Sequence, residues 1–193
     1  MKDISIKAAS PKEVFKSAFE SEMFAYEHSK DKVKAHSKNV CSICEDIALQ
    51  LEKSGITVRK KLLKKVAYLH DIGKVYRKGD AHPFMSVICM YDIFDSSGKK
   101  GKKYAWKLGQ IIIAHKGIFC PPKCVAIEAA ILRMADKIDK YNKSNCSLEA
   151  AEKSYKKSLK KIKEYFREND LADEFEQIKV ACECRRKKAE KNS

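Results

Sequence analysis

No apolar run in the sequence approaches the roughly 18 residues that a membrane span requires, so no membrane partner is expected. The opening MKDISIKAASPKE lacks the apolar core of a secretory signal, and the expected location is the cytoplasm. There is no β-hairpin signal and no internal repeat. Between Ser96 and Ile127 there is no Asp or Glu at all, although seven lysines fall there. Such a stretch attracts anions. A general excess of lysine would explain the cations but not the missing acids. Histidine is scarce too, with five in the chain, so the position of each one carries information.

What remains is a chain of 193 residues, 44% hydrophobic and 35% charged, which is enough for one sizeable core and an appendage. The formal net charge is +15 and does not come from a basic tail. Residues 147–193 hold 13 cations and 10 acids, against 28 and 16 in the first 146 residues. The eight cysteines lack the setting of a disulfide scaffold. The Cys41/Cys44, Cys120/Cys124 and Cys182/Cys184 pairs have no ribbon or knuckle context for zinc, so they read as reduced, small hydrophobic residues.

The periodicity is helical throughout, and the expected class is all-α. Ser10-Pro11-Lys12-Glu13 reads as a helix start, followed by a stripe of Phe15, Phe19, Met23 and Tyr26. Further helices are expected over about 31–53, stopped by Gly55, and over about 58–72. Pro83 opens the next, about 83–94, and SSGKKGKK (96–103) reads as a flexible loop. Helices over about 104–115 and 123–141 follow, separated by a turn at 117–122. Ser147 caps a long amphipathic helix with Leu148, Tyr155, Leu159, Ile162 and Phe166 on one face. Asn169-Asp170 interrupts it, and a last helix carries Leu171, Phe175, Ile178 and Cys182 before a frayed RRKKAEKNS end.

Four of the histidines take apolar-face positions on separate helices. His36 goes with Val33, Val40 and Ile43, and His70 with Leu63, Val66 and Ala67. His82 goes with Met85, Ser86 and Cys89, and His115 with Leu108, Ile111 and Ile112. Asp71 follows His70 directly, and Asp136 shares a face with Val125, Ala129 and Leu132. Residues at these offsets lie on one side of a helix. A single inward histidine is usually a hydrogen-bonded core residue. Four of them with two carboxylates are hard to satisfy that way, because an uncompensated buried acid costs several kcal/mol. Imidazoles and carboxylates converging between helices are what a metal centre needs. His28, in the polar EHSKDK turn, is assigned no role.

The order His36, His70-Asp71, Asp136 is similar to the H…HD…D signature of the HD superfamily of metal-dependent phosphohydrolases. YLHDIGK is close to that family's core motif, and EAAILRMADKID (128–139) looks like the helix carrying its last aspartate. The resemblance covers roughly residues 30–142 and implies an HD-domain helical bundle over 30–146. An N-terminal helix (1–29) would pack on the core, and two additional C-terminal amphipathic helices would form an extension (147–193). It also implies a ligand set. His36, His70, Asp71 and Asp136 would hold one divalent metal, and Asp71, His82 and His115 a second, with Asp71 bridging. Nitrogen-rich mixed ligation suits Fe, Mn, Co, Ni or Zn. A metal pair roughly 3.5–4 Å apart can share a hydroxide and clamp both oxygens of an in-line displacement at phosphorus. The lysine of HDxxK, Lys74, is implied to contact a substrate phosphate, with Arg77 and Lys116 as further candidates. Asp71 and Lys74 are thus the expected catalytic residues.

The departures narrow the reading. No Glu-Asp pair follows the HD, unlike alarmone hydrolases, and there is no GYP triplet. Lys116 stands where several binuclear relatives have a second histidine. The expected function is hydrolysis of a phosphoester or phosphoanhydride in a nucleotide-type substrate. The alternatives are a nuclease or cyclic (di)nucleotide phosphodiesterase on the same metals, and a non-catalytic nucleic-acid or ligand-binding module. KKGKKYAWK speaks for nucleic acid, since lysines bind phosphates and Tyr104 and Trp106 can stack on bases. Packing at a helix start is the preferred reading of those two aromatics. The substrate, the metal and the oligomeric state stay open at this level.

Overall fold

The structure, a computed structural model, describes residues 27–75, 81–95, 98–142 and 146–191. It is all-α, with no strand among the described residues. Seven α-helices are described: α1 Glu27–Lys53, α2 Lys60–Leu69, α3 His82–Asp95, α4 Gly98–Ala114, α5 Ala126–Ile138, α6 Leu148–Glu168 and α7 Ala172–Lys191. Short 3₁₀ turns cover Ile72–Val75, Lys123–Val125 and Asp139–Asn142. The expected N-terminal helix, with its Ser10-Pro11 start, lies outside the described residues.

The bundle is built around α5. Its residues from Glu128 to Ile138 are buried on every side, as a helix enclosed by others must be. Helices α1, α2, α4, α6 and α7 all pack against it. Ala126, Ala129, Ala130 and Ala135 are fully buried and too small to hold those neighbours apart. The core then fills from one apolar stripe per helix. α1 gives Val40, Ile43, Ile47 and Leu51, α2 gives Leu63 and Val66, and α4 gives Leu108, Ile111 and Ile112. α6 and α7 close it with Ile162, Phe166 and Ile178. Arg59 locks the start of α2 onto α5. Its guanidinium and its backbone N–H donate to the Glu128 carboxylate at 2.7–3.0 Å.

The helix ends follow local chemistry. Gly55 takes φ +83° just after α1, a conformation that costs other residues about 1–2 kcal/mol. Ser147 caps α6, its Oγ accepting from Ala150 N at 3.2 Å. Asp170, at φ 57°, turns the chain between α6 and α7.

Five expectations are corrected. EHSKDK (27–32), expected as a turn, is helical and begins α1 at Glu27. α2 stops at Leu69 and does not run to Ile72, so His70 and Asp71 lie in the turn that joins it to the 3₁₀ segment. Residues 98–103 are helical and form the first turns of α4; the lysines are good helix formers and Gly101 is buried. Leu148 is exposed and does not belong to the α6 core stripe, which begins at Ala151. The frayed C-terminus is instead helical to Lys191. Arg185 pairs with Asp46 of α1 at 2.8 Å, and Arg186 pairs with Glu152 at 3.2 Å while lying over the rings of Tyr141 and Tyr155.

Candidate metal centre

Five helices or their ends bring polar residues to one interior point. His36 sits on the buried face of α1 between Val33 and Val40, His82 is the first residue of α3, and His115 follows the last residue of α4. Asp136 lies in the last turn of α5. His36, His70, Asp71, His82, His115 and Asp136 are all buried. The structure brings them together as two groups able to hold a metal ion, with ligand atoms within 4.8 Å of one another in each. One group is His36, His70, Asp71 and Asp136; the other is Asp71, His82 and His115.

Asp71 divides its carboxylate between the groups. Oδ2 lies 3.0 Å from His36 Nε2 and 3.4 Å from His70 Nε2. Oδ1 lies 3.0 Å from His82 Nε2 and 3.8 Å from His115 Nε2. Asp136 Oδ1 lies 3.2 Å from His36 Nε2. The imidazoles form a row, with centroids 5.2 Å apart for His36–His70, 5.1 Å for His70–His115 and 5.3 Å for His82–His115.

Three of the rings are oriented from outside the cluster. Nδ1–H of His36 donates to Asp139 Oδ2 at 2.7 Å. Nδ1–H of His70 donates to the Ala67 carbonyl at 2.8 Å, and that of His115 to the Ile112 carbonyl at 2.5 Å. A carbonyl can only accept, so Nε2 of His70 and of His115 carries the inward lone pair. His70 Nε2 is fully buried and has no hydrogen-bond partner. His82 and His115 bring their Nε2 atoms within 3.2 Å of each other. Electron pairs on nitrogen and carboxylate oxygen that converge in this way repel unless a cation lies between them. Outer hydrogen bonds that hold imidazoles for metal ligation have the same form. The donor set therefore fits divalent transition metals.

The electrostatics set His36 apart from His70 and His115. Burial would lower the His36 pKa, but hydrogen bonds to Asp136, Asp139 and Asp71 outweigh it and push it up to about 10. Burial holds His70 below the ordinary histidine range and pushes His115 down to about 3, so both rings are neutral. Burial opposes ionisation of Asp71 and Asp136. The charges and hydrogen bonds of His70, His36, His82 and Lys74 at Asp71, and of Lys137, His36 and His115 at Asp136, hold both carboxyls well below the usual range.

The phosphate-contact candidates fare unequally. Lys74 belongs to the 3₁₀ turn, where three residues complete a turn, so its side chain stacks over Asp71 and pairs with that carboxylate rather than projecting beyond His70. Its side chain is 36% exposed, whereas that of Asp71 is fully buried. Lys116 is half-buried next to His115, and Arg77 lies outside the described residues.

Several residues of the site were not anticipated from the sequence. Asp139 is fully buried and orients His36; its one signal was its place three residues after Asp136, on the same helix side. Lys137 is buried against the Asp136 carboxylate. Arg133 donates to the carbonyls of Ala114 and Gly117, both at 2.9 Å, and so pins the turn that carries His115. Ser86 accepts from Gly73 N at 2.9 Å and donates to the His70 carbonyl at 2.8 Å, which ties the His70-Asp71 turn to α3. The metal-capable groups among the described residues contain no cysteine; Cys41, Cys44, Cys89 and Cys182 are buried, and Cys120, Cys124 and Cys184 are exposed.

A family model described as HD domain matches residues 33–141. No curated protein and no solved structure matches the chain. The matched segment contains every member of the two buried groups.

Proposed function

The chain belongs to the HD domain family, whose members are generally metal-dependent hydrolases, and from that premise we propose that it hydrolyses a phosphoester or phosphoanhydride bond of a nucleotide-type substrate. The observation that carries the reading is the division of one buried carboxylate, Asp71, between two sets of inward-facing imidazoles. Divalent metals bound there supply Lewis acidity and a water activated as nucleophile at neutral pH.

The chain's own residues do the rest. His36, His70, Asp71 and Asp136 hold one metal, and Asp71, His82 and His115 hold the other. The carbonyls of Ala67 and Ile112 hold His70 and His115 neutral with Nε2 facing inward, and Asp139 turns His36 by accepting from its Nδ1–H. Lys74 is the catalytic cation. Its ammonium stands against Asp71 and moves to the nonbridging oxygens of a phosphoryl group, where a fixed positive charge favours the transition state. Lys116 and Arg77 add further positive charge for the substrate. The compartment is read as cytoplasmic. No helix among the described residues is long and apolar enough to cross a membrane.

Lys74→Ala should lower turnover about a hundredfold to a thousandfold, the usual scale for losing one transition-state contact, and leave metal content unchanged. Steady-state kinetics beside elemental analysis of the same preparation checks this. Loss of metal would show Lys74 to be a structural partner of Asp71 only.

The test of the proposal is metal content on protein purified without added metal, for wild type and His82→Ala, followed by a screen of phosphodiesters and dinucleotides. About two transition metals per chain, falling toward one in the variant, is the expected result. One metal in both proteins would make His82 a core residue and the enzyme a mononuclear nucleotidase. No metal after reconstitution would leave a non-catalytic binding module. The nuclease or cyclic-nucleotide reading is second, and one observation favours it: Trp106 is exposed among lysines on α4.

A further inference from the structure

α4 has two unlike faces. Ala105, Leu108, Ile111 and Ile112 are fully buried in the core. Lys99, Lys103, Trp106 and Lys107 are exposed, and their spacing of i, i+4, i+7 and i+8 places them on one outward face. Trp106 is 57% exposed, which is unusual for a side chain of that size and corrects the expectation that it packs at a helix start. Tyr104 does pack: it meets Phe94 edge-on at 5.8 Å with the Lys65 ammonium 4.4 Å from its ring. No acidic residue occurs between 96 and 127 to neutralise the strip. A second exposed aromatic, Phe84, stands on α3, which packs on α4 through Val87 and Gly109. The helix ends beside His115, nine residues after Trp106, so the strip runs to within about 14 Å of the metal centre along the axis.

We infer that the outward face of α4 is a docking strip for single-stranded nucleic acid. Lysines at helical spacing bind successive backbone phosphates, and an indole held open among them offers a stacking surface that any unpaired base can use. A duplex hides its base faces and leaves the indole without a partner. A membrane surface is the weaker fit. An interfacial helix needs a broad apolar face, and that face of α4 is already enclosed in the core. The inference does not depend on the proposed hydrolysis, because the strip shares no residue with the two metal-capable groups.

Trp106 is the chain's single tryptophan, so its fluorescence reports this strip alone. The full chain is titrated in EDTA with single-stranded RNA and DNA of about ten nucleotides, the same sequences as duplex, and phosphatidylserine vesicles. EDTA removes hydrolysis and separates this test from that of the metal centre. Quenching by the single strands is expected, with a log–log salt slope near −2 for three phosphate contacts. Trp106→Ala, read by anisotropy of labelled oligonucleotide, should weaken binding about tenfold with the slope kept, and Trp106→Phe should restore part of it. Joint Lys99→Gln, Lys103→Gln and Lys107→Gln should flatten the slope. All these side chains are exposed, and circular dichroism verifies that the variants keep their helices. The inference is overturned by absence of quenching at ~100 μM oligonucleotide. It is equally overturned by variants that bind as wild type does, by an emission shift with vesicles only, or by self-association that depends on Trp106 without oligonucleotide binding.

Discussion

Asp71→Ala is expected to reduce metal content from about two per chain to near zero and to lower hydrolysis by at least about a thousandfold, while the helical circular dichroism signal stays close to wild type. Asp71 is the single member common to both buried groups, and its two oxygens face different imidazoles. Removing it takes a ligand from each metal and leaves His82 and His115 facing each other without the carboxylate between. Losing only one set is not an available outcome if the proposed arrangement holds. The fold should survive because the stripes that build it, from Ile43 and Ile47 to Ile162 and Phe166, do not pass through Asp71. Thermal unfolding gives a second readout that needs no substrate. A metal that binds only the folded state raises the melting temperature by mass action, so wild type should shift upward on adding Mn²⁺ or Co²⁺. Asp71→Ala should not shift. Two metals retained in this variant, or unchanged turnover under metal-replete conditions, would remove the basis of the proposed mechanism.

The candidate site was more legible in the sequence than its supports. His36, His70, His82 and His115 stood out because each interrupts an apolar stripe of helical period, and a stripe is a local property that survives without coordinates. All four are buried, as is Asp136. Asp139 was not legible. An acid just beyond the last apolar residue of a helix reads as solvated, and only the approach of α1 from 103 residues earlier turns it inward onto His36. Arg133 was hidden for a similar reason, since its carbonyl partners at Ala114 and Gly117 belong to another helix and its turn. Boundaries failed where tertiary contact overrode local signal. The apolar pattern of α2 continues to Ile72, yet the helix stops at Leu69 because the next residues close onto α3 through Ser86. Glycines and serines made 96–103 look like a loop, although its lysines continue α4 backwards from the buried Leu108 stripe. The C-terminal turns looked frayed because their partners, Asp46 and Glu152, lie far away in the chain.

The closeness of α3 to the His70-Asp71 turn leads to the largest expected effect on stability, that of Gly73→Ala. Gly73 is not needed for a left-handed backbone; it is needed for space. A Cβ there would lie under 3.0 Å from Ser86 N, the His82 carbonyl oxygen and Met85 Cβ. Two of these are backbone atoms of α3, so no side-chain rotation relieves the overlap, and the 3₁₀ turn and the helix must separate. Separation breaks the bond from Gly73 N to Ser86 Oγ and strains that from Ser86 Oγ to the His70 carbonyl, both inside the core. The expected loss is roughly 3 kcal/mol or more, at the upper end for overpacking a well-filled interior. That is a large share of the roughly 5–15 kcal/mol of a typical domain, so the urea midpoint should fall steeply. Gly55→Ala is the matched control. Gly55 has φ +83° and nothing within 4 Å of an added Cβ, so its cost should be only the roughly 1–2 kcal/mol of a left-handed alanine. Gly73→Ala should also weaken metal retention, because His82 and Asp71 move apart when the two segments do. A Gly73→Ala protein as stable as wild type would mean that the turn and α3 do not meet as closely as described. Equal losses at Gly55 and Gly73 would mean that backbone freedom, not the contact with Ser86, sets the requirement for glycine.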